Sequence, residues 1–459
     1  MAGCRGSFGG VTHMERTTLA GLDIEAPCVR CAQLWLPLES MDLEVDPDHL
    51  ANPLPRVPRI WLRDPDGIEF SRPYLPHPEC SRHLEHRERV DGASDLLRYL
   101  TPGPLGPIKA RNVEGGPQGP YVSVAIMDRP RQVSAAFQPL VGAGVAFVRA
   151  EAELKASIEA LERFSLFLRP RAPIVYHTKD TRSGQTIHDA RLSPGLDRWW
   201  VEARGRRTGD VKLVPLELIN PAVPPPEPGI RGSSTGLAVH PDAQAAFRAG
   251  CLEFLERAAL ATLWAAQLKF LLRPRALTGP GAEWIEPLER LGFDVELSME
   301  QPIPGVHVAV AFGRSRAESA PSLVVCSGAG CSPSEAIASA LRELYGHCTQ
   351  ALRSRTERPR DGLPTPFDHL LFYLNPANAD GLLRDWGYHQ AERGDHLENT
   401  VECELEDILE AAHVEAYVLD RGNLLTDFLG LHALHTILPA LRILERDTGG
   451  PRPWPTPFG

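Results

Sequence analysis

Two spacings of apolar residues alternate along this chain. In YVSVAIM (121–127) and GAGVAFVRA (142–150) apolar residues alternate or run together, as in strands. In ELKASIEALERFSLFL (153–168) they return every third or fourth position, which predicts an amphipathic helix over about 149–168. LVPLELI (213–219) reads as a buried strand ahead of the proline-rich loop PAVPPPEPG (221–229). GSSTGLAV (232–239) then leads into a second helix, over about 242–270. VHVAVAFG (306–313) and SLVVCSGAG (322–330) read as strands before a third helix, SPSEAIASALRELYGHCTQALR (332–353). Ser332 is placed to cap it, with Pro333 at the first helical position and Glu335 at the third. Residues 1–95 differ, with short strand-like pieces such as RIWLRD (59–64) and IEFSRPYL (68–75) between Pro and Asp turns. The pattern predicts an α+β fold in two parts, an N-terminal segment over 1–95 and a body over 96–459. Similar glycine-to-helix units around Glu159 and Glu253 suggest an internal duplication.

Charge on the first two helices changes this picture. Each carries Glu-x-x-Glu-Arg: Glu159, Glu162 and Arg163 in one, Glu253, Glu256 and Arg257 in the other. Residues three apart share a helix face, so each copy sets two carboxylates side by side beside a guanidinium. Buried like charges are costly unless a cation neutralises them. Four converging carboxylates therefore ask for a hard cation such as Mg²⁺, and the neighbouring arginines ask for a polyphosphate. The alternative is ordinary charge runs on two surface helices.

Composition narrows the class. The 459 residues are 43% hydrophobic and 23% charged, ordinary values for a globular protein. A net charge of −11 without a basic stripe argues against a nucleic-acid partner. No run approaches the roughly 18 apolar residues that span a bilayer. The N-terminus MAGCRGSFGGVTHMER lacks the apolar core of a secretion signal, and nine cysteines fit a reducing cytoplasm better than a disulfide framework. Among those cysteines, Cys28-x-x-Cys31 and Cys80-x-x-His83 have metal-knuckle spacing and suit tetrahedral Zn²⁺ of the structural kind, with His77 or His86 as other possible ligands.

At these residues the chain resembles the YcaO family, ATP-utilising enzymes that activate peptide backbone amides. Gly142, Gly144, Glu159, Glu162 and Arg163 match that family's first ATP motif, where Lys155 stands in place of Ser. Gly236, Leu237, Ala238, Glu253, Glu256 and Arg257 match the second, with Ala245 and Ala258 at its usual acidic positions. In the third helix Glu343 matches and Gly346 replaces a Gln. The end of the chain, TGGPRPWPTPFG, is similar to the proline-rich terminus of azoline-forming cyclodehydratases, the D-type subunits of thiazole/oxazole-modified peptide synthetases. The residues 451–459 would reach the active site as a stiff polyproline segment, with the α-carboxylate of Gly459 as catalytic base. The N-terminal segment resembles the zinc-binding portion of such maturases, with His83 where a fourth Cys is usual.

The resemblance implies a YcaO-like ATP-binding fold behind a small zinc-binding segment. It implies cyclodehydration of Cys, Ser or Thr in a ribosomal precursor peptide, with ATP and Mg²⁺ held by Glu159, Glu162, Arg163, Glu253, Glu256 and Arg257. It also implies a separate E1-like leader-peptide-binding partner and often a flavin-dependent dehydrogenase, while a homodimer is the default expectation for an oligomer. Two alternatives stay open: thioamide formation from an external sulfide donor, and a scaffold without turnover, to which Lys155, Ala245, Ala258 and Gly346 point.

Overall fold

The computed structural model describes residues 18–22, 59–63, 69–73, 93–103, 106–116, 119–130, 140–177, 187, 198–223, 232–265, 279–317, 321–361, 366–385, 404–439 and 441. Strands β1 (Thr18–Leu22), β2 (Arg59–Arg63) and β3 (Glu69–Pro73) form an antiparallel sheet within the segment read as separate. After helix α1 (Ala93–Tyr99) comes a meander of β4 (Ile108–Glu114), β5 (Tyr121–Met127) and β6 (Leu140–Ala146), then helix α2 (Arg149–Phe167). β7 (Ile174–His177), β8 (Arg198–Gly205), β9 (Val211–Pro215), α3 (Leu216–Ile219), β10 (Leu237–His240) and α4 (Ala243–Ala265) follow. α5 (Ile285–Arg290) precedes a second meander, β11 (Phe293–Ile303), β12 (Val306–Ser315) and β13 (Leu323–Gly330), then α6 (Pro333–Arg353). The chain continues through α7 (Pro366–Tyr373), α8 (Pro376–Asp385), α9 (Leu405–Ala411), β14 (Tyr417–Asp420), α10 (Leu424–Phe428) and β15 (His432–Ile437). The last two strands close a six-stranded sheet of order β10-β15-β14-β8-β7, with β9 on β8.

Two expectations change. LVPLELI is not one strand: β9 ends at Pro215, which has no N–H to continue a ladder, and Leu216–Ile219 turn into helix. The duplication joins different units from those expected. The repeat is a three-stranded meander followed by a helix, β4–β6 with α2 and β11–β13 with α6, while α4 follows a single strand of the larger sheet.

The last strand of each meander carries Gly-Ala-Gly, Gly142-Ala143-Gly144 in β6 and Gly328-Ala329-Gly330 in β13. The missing side chains let a helix backbone rest on the strand. A Cβ on Gly142 would stand 2.1 Å from the Ala156 carbonyl oxygen, and one on Gly328 would stand 2.4 Å from the Ala340 amide. The helices answer with buried small residues, Ala152, Ala156 and Ala160 in α2, Ala336 and Ala340 in α6. Ser332 caps α6 as expected, its Oγ accepting from Glu335 N–H at 3.2 Å. The α4 helix is anchored at its start by Asp242, whose carboxylate accepts from Ala245 N–H at 2.7 Å. It packs between the six-stranded sheet and β11–β13, so α2, α4 and α6 meet in the middle of the body. Among the described residues, no helix is long and apolar enough to cross a membrane.

Candidate active site

All four clamp carboxylates point to this meeting place, and each accepts a hydrogen bond from a neighbouring strand or strand entry. Glu159 accepts from Ala143 N–H of β6 at 2.7 Å. Glu162 accepts from the Val239 amide of β10. Glu253 accepts from Gly236 N–H at 3.0 Å, and Glu256 from Ser327 Oγ of β13 at 2.5 Å. Gly236 is suited to its task because its φ is +86° and a Cβ there would meet the Thr436 carbonyl oxygen at 2.1 Å. Arg163 binds Glu159 at 2.5 Å and also the Val141 carbonyl, and Arg257 sits beside both Glu253 and Glu256.

The helices face one another. Glu162 of α2 is electrostatically coupled to Glu253 of α4, and Glu343 of α6 is coupled to both Glu159 and Glu256. Every clamp carboxyl is held above its ordinary range, first by burial. Burial first, then neighbouring Glu253 and Glu159, raise Glu162 well above that range, opposed by Arg163 and the Val239 amide. Glu253 is pushed up to about 7 despite Arg257 and the Gly236 amide. Glu159 nevertheless keeps 32% of its side-chain exposure, so the group lines a recess open to solvent. A recess with more carboxylate than guanidinium, made of oxygen donors, suits Mg²⁺. Among the described residues, no three His, Cys, Asp or Glu side chains close on one metal-sized point.

The raised carboxyl of Glu253 gives a pH test. The native state keeps a proton that the unfolded chain releases between pH 4.5 and about 7, so Glu253 lowers stability as pH rises through that window. Glu253→Gln should therefore raise the thermal midpoint of the metal-free protein at pH 8 and leave it unchanged at pH 4. Equal effects at both pH values would show that the carboxylate is already compensated.

Ser327 is not among the expected site residues, whereas Glu343 stands at the position that matches in the third helix, with His347 one turn further on. Ser327 and Glu343 reach the carboxylates from the second meander and its helix, and His347 lies close enough to Glu159 to favour its charge. The second Gly-Ala-Gly, immediately after Ser327, is the sequence signal that finds them. Two departures gain a physical account. A Cβ at Gly346 would lie 2.9 Å from Val145 Cγ2, so a side chain there meets β6. Burial first, then the charge of Arg342, holds the Lys155 ammonium below the usual range. Cys251 is fully buried, and Cys326 and Cys331 are free thiols. Cys28, Cys31, Cys80, His83 and Gly459 lie outside the described residues. A separate cavity of about 480 Å³, lined by Arg171, Arg204, Arg206, Glu202 and Asp420 among others, includes none of the clamp residues.

Known structures share this architecture. A heterocyclase solved in complex with substrate and cofactor superposes with a TM-score of 0.67 at 16% identity, covering 86% of this chain and 61% of its own. The chain thus spans about three fifths of that heterocyclase's length. YcaO from Methanopyrus kandleri, bound with AMPPCP and Mg²⁺, gives 0.53 at 20% identity, covering 73% of this chain and 86% of its own. The E. coli microcin synthetase McbBCD complex gives 0.55 at 14% identity, covering 72% and 87%. At these identities the likeness concerns the fold. No curated protein sequence matches the chain. The family model described as YcaO cyclodehydratase, ATP- and Mg²⁺-binding, matches residues 143–442, well over half of the chain and all three central helices, and the chain belongs to the YcaO family.

Proposed function

We propose that this chain is an ATP-dependent cyclodehydratase subunit that forms thiazoline or oxazoline rings in a ribosomally made precursor peptide. The observation that carries the reading is the convergence of Glu159, Glu162, Glu253 and Glu256 from two distant helices on one recess. Family membership and the fold shared with a substrate-bound heterocyclase support it.

In the reaction, a Cys, Ser or Thr side chain of the peptide adds to the preceding backbone carbonyl. The resulting oxygen attacks the terminal phosphorus of ATP, ADP departs, and loss of phosphate with the amide proton leaves a C=N bond in the ring. Phosphoryl transfer of this kind depends mainly on positioning and charge neutralisation. The four glutamates would hold Mg²⁺, which supplies charge neutralisation for the phosphates. Arg163 and Arg257 contact the phosphates or brace the carboxylates. The strand amides of Ala143, Val239 and Gly236 fix the carboxylates in place before nucleotide arrives.

Incubating the chain with ATP, Mg²⁺, the precursor peptide and a leader-binding E1-like partner should lower peptide mass by about 18 Da per ring, the mass of one water. A gain of about 16 Da would instead mark sulfur-for-oxygen exchange and reassign the chain to thioamide formation. An unchanged peptide without ATP consumption, in the presence of that partner, would support the scaffold reading. The spacing of Cys28, Cys31, Cys80 and His83 supports a structural zinc in a segment distinct from the body. Elemental analysis should find about one zinc per chain, lost in Cys28→Ser, and its absence from freshly purified protein would refute that site.

A further inference from the structure

Where α2 ends, the core contains a guanidinium with no carboxylate partner among the described residues. Arg421, 1% exposed, follows β14, and its backbone N–H bonds the Ala433 carbonyl of β15 at 2.8 Å. Its Nη2 donates to the carbonyls of Ser165 at 3.0 Å and Leu168 at 3.1 Å, and also to that of Leu166. These carbonyls lie at and just past the C-terminal end of α2, where the helix dipole is negative, and that of Ser165 also accepts from Leu168 N–H at 3.2 Å. Asn423 adds a bond from Nδ2 to Ser165 Oγ at 3.1 Å. Nε and Nη1 of Arg421 have no partner among the described residues, and burial alone accounts for its lowered pKa of about 10. A buried charge held by carbonyls rather than by a carboxylate is costly to keep and costly to remove.

His435 of β15 stands beside it, 2% exposed. Burial first, then the charge of Arg421, pushes its pKa down to about 3, so the ring is neutral. Its Nε2 bonds the Thr235 carbonyl at 3.0 Å and must be the donor, because a carbonyl only accepts. Nδ1 is left as an acceptor with no hydrogen-bond partner among the described residues, and the Arg421 charge acts on the ring. Thr235 immediately precedes Gly236, whose N–H holds Glu253 and whose carbonyl accepts from Thr436 N–H at 2.7 Å. One basic residue thus grips the helix that carries Glu159 and Glu162, and the adjacent one grips the turn that holds Glu253.

We propose that Arg421 and His435 are a pair of positioning residues that couple the two acidic helices through the core and set how Glu162 stands against Glu253. Their target is the spacing of the carboxylates, so the inference rests on those carboxylates binding Mg²⁺ with nucleotide. Residues that orient metal ligands from behind typically change metal affinity about 10- to 100-fold when altered.

The test measures binding of AMPPCP with and without Mg²⁺ by calorimetry on the full chain, alongside the thermal midpoint. Arg421→Lys keeps the charge and loses the fork, and His435→Leu removes the bond to Thr235. Each should raise the Kd for Mg²⁺·AMPPCP about 10-fold, while the Kd for AMPPCP alone changes less than about twofold. The double variant should fall well short of the product of the two, as coupled sites do. His435→Gln keeps an N–H for Thr235 and should restore affinity to within about threefold of wild type. If His435→Leu does not fold, Arg421→Lys and His435→Gln decide. A lower thermal midpoint with unchanged Mg²⁺·AMPPCP affinity in Arg421→Lys overturns the coupling and leaves the function standing. Wild type that takes up no Mg²⁺·AMPPCP overturns both.

Discussion

Glu256→Gln is expected to lower peptide-stimulated ATP turnover by about 10²–10³-fold, the size of loss seen when a preorganised electrostatic group is removed from a transition state. The amide keeps the shape of the carboxylate and an oxygen that accepts from Ser327 Oγ, now at 2.5 Å, so the helix has no reason to move. The negative charge opposite Glu343 disappears, and with it one donor for a hard cation. Removing a like charge from a crowded recess relieves repulsion, so the metal-free variant should be at least as thermally stable as wild type. Loss of turnover with retained or raised stability separates a role in the reaction from a role in the fold. Turnover within about threefold of wild type would show that the carboxylates are spectators.

The largest expected effect on stability comes from Gly142→Ala. The new methyl carbon would stand 2.1 Å from the Ala156 carbonyl oxygen and 2.4 Å from the Ala160 amide nitrogen, both backbone atoms of α2. No rotamer relieves a clash between a Cβ and a helix backbone, so α2 must lift from β6. Overpacking commonly costs about 1–3 kcal/mol, and displacement of a whole helix belongs at or above the upper end. We expect about 3 kcal/mol or more, read as a drop in thermal midpoint of roughly 3 °C or more. Gly116→Ala is the control, since nothing lies within 4 Å of its added carbon, and it should stay within about 0.5 kcal/mol of wild type. Gly142→Ala should also weaken binding of Mg²⁺·AMPPCP, because the amide of the next residue, Ala143, holds Glu159. Similar midpoints for the two variants would mean that the helix does not rest where we place it.

The helices of the site were legible because their signals are local. Apolar spacing marked α2 and α4, and Ser332, Pro333 and Glu335 marked the start of α6. The paired Glu-x-x-Glu-Arg segments marked the carboxylates because like charges on apolar helices need an explanation. Register and strand order were not legible, since they depend on pairings such as Leu237 with His435, about 200 positions apart. The break at Pro215 was available in the sequence and was outweighed by the apolar run around it. Arg421 gave no local signal. Its part depends on α2 ending where the turn after β14 passes, a meeting that only the folded chain reveals.

Because α2 and α6 meet bare glycine backbone at Gly142, Gly144, Gly328 and Gly330, two short tripeptides fix how closely both helices approach their strands, and side-chain packing has to match only beyond them. Natural drift can then rewrite the rest of each meander while the helices keep their height and angle. That offers a reason why proteins sharing fewer than one residue in five with this chain still superpose on most of its length. It also makes the two glycine tripeptides a natural junction for building chimeras, in which whole helices from distant relatives are exchanged onto a borrowed sheet.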